Sequence, residues 1–114
     1  MLSQPYRFHG HGSLRYVYKH GKTERNRTLT LKYSKNPHRK RPRVAVIIGK
    51  KVIKSAVKRN RVRRRIYEVI RLELPRIKEP YDIALTVYSP EALVMPAPEL
   101  KVQVVSLLEQ AGIV

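Results

Sequence analysis

The chain has 114 residues and a formal net charge of +17, from 25 lysines and arginines against eight acidic residues. This length suits one domain, so we predict a single domain over residues 1–114 with a flexible segment at residues 1–12. The absence of cysteine excludes disulfides, a thiol nucleophile and a cysteine-based zinc site. Since no apolar run approaches the ~20 residues of a membrane span, and residues 1–10 lack the core of a signal peptide, we expect a cytoplasmic protein with no membrane partner.

The positive charge is concentrated in the middle of the chain. Residues 25–67 contain seventeen basic residues and no acidic residue, whereas residues 68–114 contain four basic and seven acidic residues. Such a block repels itself unless a partner neutralises it. Nucleic acid is the leading candidate, because each neutralised phosphate releases a counterion. A surface built only for solubility would mix the two signs.

The first half of the chain contains a short helix and a strand. Ser13–His20 has a serine suited to an N-cap and apolar residues at helical spacing, and Gly21 would end the helix. Thr28–Tyr33 alternates in hydropathy and is predicted to be a half-buried strand. Ser34–Pro42 is rich in turn formers and predicts a loop.

The second half predicts two more strands and two helices. Arg43–Ile48 is apolar on both faces, which favours a central strand. A basic helix then runs from Ser55 or Ala56 to Leu74, before Pro75. Tyr81–Tyr88 alternates as a strand, and a closing amphipathic helix ends at Gly112. The order α-β-β-α-β-α, with an extra early strand left open, predicts an α+β fold with helices packed on a mixed sheet.

The basic helix has an apolar stripe and a charged face. At 100° per residue, an arc of about 140° contains the apolar residues Val62, Ile66, Val69, Ile70 and Leu74. The opposite side contains Lys58, Asn60, Arg61, Arg64, Arg65 and Arg71, with Arg63 at the border. We therefore predict that the stripe packs on the sheet while the cations point outward.

The charged face suits phosphate binding. A guanidinium group binds phosphate oxygens in pairs and stacks on bases. Lys50, Lys51 and Lys54 precede the helix, whose N-terminal amides also favour anions. A membrane-surface helix is disfavoured because the apolar stripe is β-branched and lacks Trp and Phe. A helix-turn-helix is disfavoured because a strand-like segment precedes the basic helix.

The residues do not predict catalysis by this chain. The basic block has no carboxylate, so no acidic metal cluster can form within it, and we expect neither a catalytic residue nor a metal ligand. His9 and His11 could bind a metal as a pair, but no neighbouring Cys or Asp completes a site. A flexible or RNA-contacting role is favoured for that pair.

The segment "GKKVIKSAVKRNRVRRRIYEVIR" resembles the protein subunit of bacterial ribonuclease P. That family has a lysine pair after a strand and then an Ala-Val-x-Arg-Asn-Arg helix. "LRYVYKHGK", "YDIALTV" and "LLEQAG" match further parts of the family in the same order, so the resemblance covers nearly the full length.

The resemblance implies a fold and a function. The expected fold is a two-layer α/β sandwich like domain 2 of ribosomal protein S5, with a left-handed βαβ crossover. The family's RNA subunit is the catalyst and uses Mg²⁺ to hydrolyse the 5′ leader from precursor tRNA. The resemblance therefore implies two partners, ribonuclease P RNA and precursor tRNA, with one protein per RNA and the Mg²⁺ held mainly by RNA. The alternative is a structural RNA-binding protein, such as a ribosomal protein.

The resemblance also assigns residues to the two RNA partners. Contact with the catalytic RNA is expected for Lys50, Lys51, Lys54, Lys58, Arg59, Asn60, Arg61, Arg63, Arg64, Arg65 and Arg71. Contact with the leader is expected for Leu14, Tyr18 and Lys32. Tyr18 keeps the aromatic ring that the family uses in the leader cleft, whereas Leu14 replaces one.

Overall fold

A four-stranded mixed sheet with helices on both faces forms the structure. The computed structural model describes the backbone of residues 11–114 and the side chains from residue 14 onward. The elements in chain order are α1 (His11–His20), β1 (Lys22–Arg25), β2 (Leu29–Lys35), β3 (Arg43–Ile48), α2 (Ala56–Glu73), β4 (Tyr81–Val87), α3 (Glu91–Val94) and α4 (Ala97–Gln110). The predicted α+β class is confirmed, and β1 is the extra early strand.

The strand order is β1-β2-β4-β3. β2 runs antiparallel to β1 and β4, whereas β3 runs parallel to β4 and is joined to it through α2. The left-handed sense of this βαβ crossover stays a prediction from the resemblance. The predicted central position of β3 is wrong, because β3 pairs only with β4 and lies at the edge. The sequence of β3 is apolar on both faces because α2 covers one face of the strand and the other face is half-buried.

The inner face of the sheet forms the core with α2 and α4. Cross-strand partners share a face, and the inward residues are Leu29, Leu31 and Tyr33 of β2, Val44, Val46 and Ile48 of β3, and Ile83, Leu85 and Val87 of β4. These nine residues are buried, which confirms the alternation predicted for β2 and β4. They pack against buried residues of both helices, among them Ile66, Ile70, Leu107 and Leu108.

α1 lies on the opposite face, which we call the outer face. Its residues include Thr30, Lys32 and Ser34 of β2, Ala45 and Ile47 of β3, and Ala84 and Thr86 of β4. The Tyr18 hydroxyl is hydrogen-bonded to Oγ1 of Thr86 at 2.8 Å, and Val17 is fully buried without belonging to the inner core. α1 therefore covers the β2 and β4 part of this face.

The ends of α1 differ in part from the prediction. The helix begins at His11, so Ser13 lies inside it and is not its N-cap. The predicted flexible segment at residues 1–12 falls mostly outside the described residues. The helix ends at Gly21 as predicted, and its N–H donates to the Val17 carbonyl at 2.8 Å. A Cβ atom there would lie 2.4 Å from the Val17 oxygen and 2.9 Å from the Tyr33 oxygen, so only glycine fits.

α2 and α4 follow the sequence prediction closely. Ser55 caps α2, its Oγ accepting from the Lys58 N–H at 3.3 Å, and a 3₁₀ turn over Leu74–Arg76 follows the helix. Gly112, at φ +74°, follows the end of α4. α3 has only four residues, which is too short for a periodic signal, and it was not predicted. Among the described residues, no helix has the length and hydropathy to cross a membrane.

Candidate nucleic-acid interface

α2 displays the basic residues that the sequence assigned to its charged face. Val62, Ile66, Tyr67 and Ile70 are buried against the sheet. The polar and charged residues that are exposed on the other side of α2 and in the loop before it form what we call the helix surface. It consists of Lys50, Lys51, Lys54, Lys58, Asn60, Arg61, Arg64 and Arg71.

The loop before α2 holds its lysines in a defined position. The Gly49 carbonyl accepts from the N–H groups of Val52 and Ile53 at 3.1 and 3.2 Å, and the Ile53 side chain is buried in the core. Nη1 of Arg59 donates to the carbonyls of Ile53 and Lys54, both at 2.8 Å. Arg59 thus joins the loop to the first turn of α2, and the loop lysines stand beside the N-terminus of the helix.

The cations of the helix surface have few acidic neighbours. Most carboxylates pair elsewhere: Glu73 with Arg76, Glu79 with Lys35, Asp82 with Arg43, and both Glu91 and Glu99 with Arg27. Among the described carboxylates, only Glu68 pairs with a residue of the helix surface, Arg71. Within the described part of the chain, the four lysines, Arg61 and Arg64 have no side-chain hydrogen bond or ion pair. Their charge is therefore available to an external anion.

Glu68 and Arg71 shift each other's pKa through their hydrogen bonds. Nε of Arg71 donates to both carboxylate oxygens of Glu68, at 3.1 and 3.2 Å. The hydrogen bond from Arg71 lowers the pKa of Glu68, and the same bond raises the pKa of Arg71. Glu68 thus neutralises part of the charge of Arg71, whereas Arg61 and Arg64 have no acidic partner among the described residues.

Arg63 and Arg65 are turned toward the chain itself. Nη1 of Arg63 donates to Oδ1 of Asn60 at 2.8 Å. Arg65 is half-buried, and its guanidinium donates to the carbonyls of Ala92 at 2.8 Å, Leu93 at 3.1 Å and Met95. The prediction that Arg65 points outward is wrong, because α3, which was not predicted, supplies carbonyls that bind it.

The residues predicted to contact the leader lie on α1 and the outer face. Tyr18 is 37% exposed, so its ring faces solvent while its hydroxyl is held by Thr86. Lys32 is half-buried on the same face of β2, and Leu14 is half-buried on α1. Ala45 and Ile47 of β3 remain half-buried beyond α1. β3 ends at Ile48, and the loop that carries Lys50 and Lys51 follows it directly.

Two features of this region were not predicted as site residues. Thr86 alternates with the inward residues of β4, so the strand period could have placed it on the outer face. The basic residues of the β2–β3 loop were recognised only as a charge cluster. The His9 and His11 pair lies outside the described side chains.

Comparisons with known proteins identify the family. The family model described as Ribonuclease P matches residues 2–112. The ribonuclease P protein component of Symbiobacterium thermophilum is 34% identical over 98% of this chain and 96% of that relative. The corresponding protein of Chloroflexus aurantiacus is 33% identical over 96% of this chain and 80% of its own length. The chain belongs to the ribonuclease P protein family. As a ribonuclease P protein component, it is an RNA-binding subunit of a ribonuclease that acts in tRNA processing.

Solved structures of ribonuclease P proteins share the fold. The Staphylococcus aureus protein has a TM-score of 0.85 at 23% identity, covering 95% of this chain and 96% of that one. The Thermotoga maritima protein has a TM-score of 0.81 at 19% identity, covering 91% and 96% respectively. Both likenesses concern the fold, and they agree with the sheet order and helix placement described above.

Proposed function

We propose that this chain binds the RNA subunit of ribonuclease P through the helix surface and the 5′ leader of precursor tRNA along the outer face. It thereby supports Mg²⁺-dependent hydrolysis that removes the leader, with one protein per RNA, in the cytoplasm. The observation that carries the proposal is the unpaired charge of Arg61, Arg64 and the neighbouring lysines on a family member.

The helix surface is suited to a folded RNA. Its cations stand on a helix that is fixed to the sheet by Val62, Ile66 and Ile70, so binding needs to order only their side chains and not the backbone that carries them. Guanidinium groups bind phosphate oxygens in pairs, and released counterions add to affinity. Arg59 and Arg63, which are half-buried beside the helix surface, belong to the proposed contact set as well. Arg65 is omitted because its guanidinium donates to the carbonyls of Ala92, Leu93 and Met95.

The outer face is suited to a single strand. An exposed tyrosine ring can stack on a base of any sequence, and Lys32 on the same face can neutralise a phosphate. The hydrogen bond to Thr86 fixes the Tyr18 ring on α1. The outer face of β3 leads directly into the loop with Lys50 and Lys51, so a leader lying along it would approach the RNA held by the helix surface.

The protein's own contribution is binding and charge neutralisation. Among the described residues, no three His, Cys, Asp or Glu side chains lie together as a metal site requires. The single carboxylate beside the helix surface, Glu68, is bound by Arg71. The described residues therefore do not fit a Mg²⁺ site, and we propose that the RNA and the substrate hold the metal. Screening of phosphate repulsion by this protein would lower the Mg²⁺ concentration that the complex needs.

The test is cleavage of a precursor tRNA at low Mg²⁺ by a bacterial ribonuclease P RNA, with and without this protein. We expect stimulation by the wild-type protein and its loss in the Arg61→Ala plus Arg64→Ala variant. Lys22→Glu, at an exposed position of β1 on the opposite edge of the sheet from β3, changes the net charge by the same amount and should retain stimulation.

Three results would contradict the proposal. Tight RNA binding without stimulation would indicate a structural RNA-binding protein. Cleavage by the protein alone would indicate a protein nuclease. Equal loss of stimulation in the Lys22→Glu control would show that net charge, rather than the helix surface, is responsible.

A further inference from the structure

A second cluster of cations lies in the loop between β2 and β3. His38, Arg39, Lys40 and Arg41 are all exposed, and we call them the basic loop. Arg39, Lys40 and Arg41 line a depression of about 270 Å³ together with Arg43. Two carboxylates near the start of β4 already have basic partners. Asp82 pairs with Arg43, and Glu79 pairs with Lys35. The loop therefore concentrates positive charge at one point of the surface.

The basic loop is held in shape by Asn36. The Asn36 N–H donates to the Pro80 carbonyl at 2.9 Å, and Nδ2 donates to Oδ2 of Asp82 at 3.1 Å. Oδ1 of Asn36 accepts from the His38 N–H at 3.1 Å, and its carbonyl accepts from the Arg39 N–H at 3.0 Å. An anion would thus meet a turn that is already formed, which reduces the entropy lost on binding.

A hollow separates the basic loop from α1. It has a volume of about 390 Å³ and is lined by Tyr16, Ser34, Lys35, Asn36, Pro37, His38 and Asp82. Tyr16 is 59% exposed, and its ring centroid lies 4.7 Å from that of His20. An exposed aromatic ring beside amide and cationic groups is the combination on which unpaired nucleobases stack.

The hollow lies on the path of the outer face. Lys32 and Ser34 project from the same face of β2, and Asn36 follows at the same period. A strand that passes Tyr18 and Lys32 is thereby led to Ser34 and the hollow. The helix surface begins at the other end of β3, roughly 17 Å away along that strand. The basic loop is therefore separate from the helix surface.

We propose that the basic loop and this hollow bind an upstream nucleotide of the single-stranded leader, with the base beside Tyr16 and the phosphate on Arg39 and Lys40. This inference rests on the proposed function and extends it: substrates with longer leaders gain affinity from the loop. Precursors whose leaders end before the hollow gain no affinity from the basic loop.

The test measures the dissociation constant of the holoenzyme for precursor tRNAs whose leaders are lengthened one nucleotide at a time. Wild-type affinity should rise at short lengths and rise again when the leader reaches the basic loop. Arg39→Ala plus Lys40→Ala should lose only the second rise, and its salt dependence with long leaders should fall by about 0.7 in log–log slope, as one lost single-strand phosphate contact predicts. Tyr16→Leu should also reduce the second rise in affinity. Lys101→Glu, which makes the same change in net charge at an exposed position of α4, should preserve that rise.

Other results would overturn the inference while leaving the proposed function standing. If the double variant binds every leader as the wild type does, the basic loop makes no leader contact. If it weakens all substrates equally, including mature tRNA, the loop binds the catalytic RNA or acts only through net charge. A thermal midpoint equal to that of the wild type shows that these exposed substitutions leave the fold intact. Absence of any stimulation by the wild-type protein would instead refute the proposed function.

Discussion

Arg43, the first residue of β3, and Asp82, the second residue of β4, form a buried bidentate ion pair between two parallel strands. Nε and Nη2 of Arg43 donate to Oδ1 and Oδ2 of Asp82, each at 2.9 Å, and both side chains are at least nine-tenths buried. The two residues are Cα partners in the β3–β4 register. The carboxylate also accepts from Asn36, so this pair joins the edge strand to the base of the basic loop.

Asp82→Asn should reduce the free energy of unfolding by about 3–5 kcal/mol, because it leaves a guanidinium buried without its counter-charge. Chemical denaturation measures this directly. Glu79→Gln is the matched control, since its pair with Lys35 is exposed at 3.9 Å and should contribute less than about 1 kcal/mol. Equal small losses for both substitutions would show that the buried pair is not a stabilising element.

Arg64 and Arg65 are neighbours in sequence with opposite expected effects. Arg65→Ala should lower the free energy of unfolding by about 1–3 kcal/mol, because three carbonyls of the α3 region lose their donor. Arg64→Ala should leave stability within about 0.5 kcal/mol but reduce the salt dependence of RNA binding by roughly 0.7–0.9 in slope. Thermal melts and RNA titrations at several salt concentrations measure both. A reversed pattern would contradict the assigned orientations.

Glu68→Gln should tighten RNA binding and steepen its salt dependence, because Arg71 loses the carboxylate that engages it. The lowered pKa of Glu68 means that the pair is intact above the ordinary carboxylate pKa and is lost only as the pH falls through the lowered value. The difference between wild type and variant should therefore be constant near neutral pH and disappear in acid. A difference that vanished near neutrality would count against this account.

Tyr18→Phe and Tyr18→Ala separate the ring from the hydroxyl. The phenylalanine variant keeps a stacking surface and should retain preference for precursor over mature tRNA, with a small stability cost from the lost Thr86 bond. The alanine variant should lose about 1–3 kcal/mol of that preference, the usual contribution of one stacked base. Competition binding with both tRNAs is the measurement. Loss of preference in the phenylalanine variant would point to the hydroxyl instead.

Local patterns in the sequence were sufficient to predict α2 and most of its charged face. Ser55 and Pro75 mark the limits of α2, the apolar stripe orients it, and the alternation of β2 and β4 identifies their inward residues. The family-specific Arg-Asn-Arg segment added the function. These signals are short-range, since a cap, a helical period and a strand period are each decided by residues a few positions apart.

Only the tertiary structure decided which residues meet across the fold. The edge position of β3, the binding of Arg65 by α3 and the hydrogen bond between Tyr18 and Thr86 all join segments far apart in sequence. The same holds for Asn36 and Asp82, which shape the basic loop. By itself, the sequence determined the charge, most of the helices and strands, and the family. The strand order and the long-range hydrogen bonds decided which cations face outward. The periodicity of a helix or strand places a side chain on one face of that element, but it does not say which other segment covers that face.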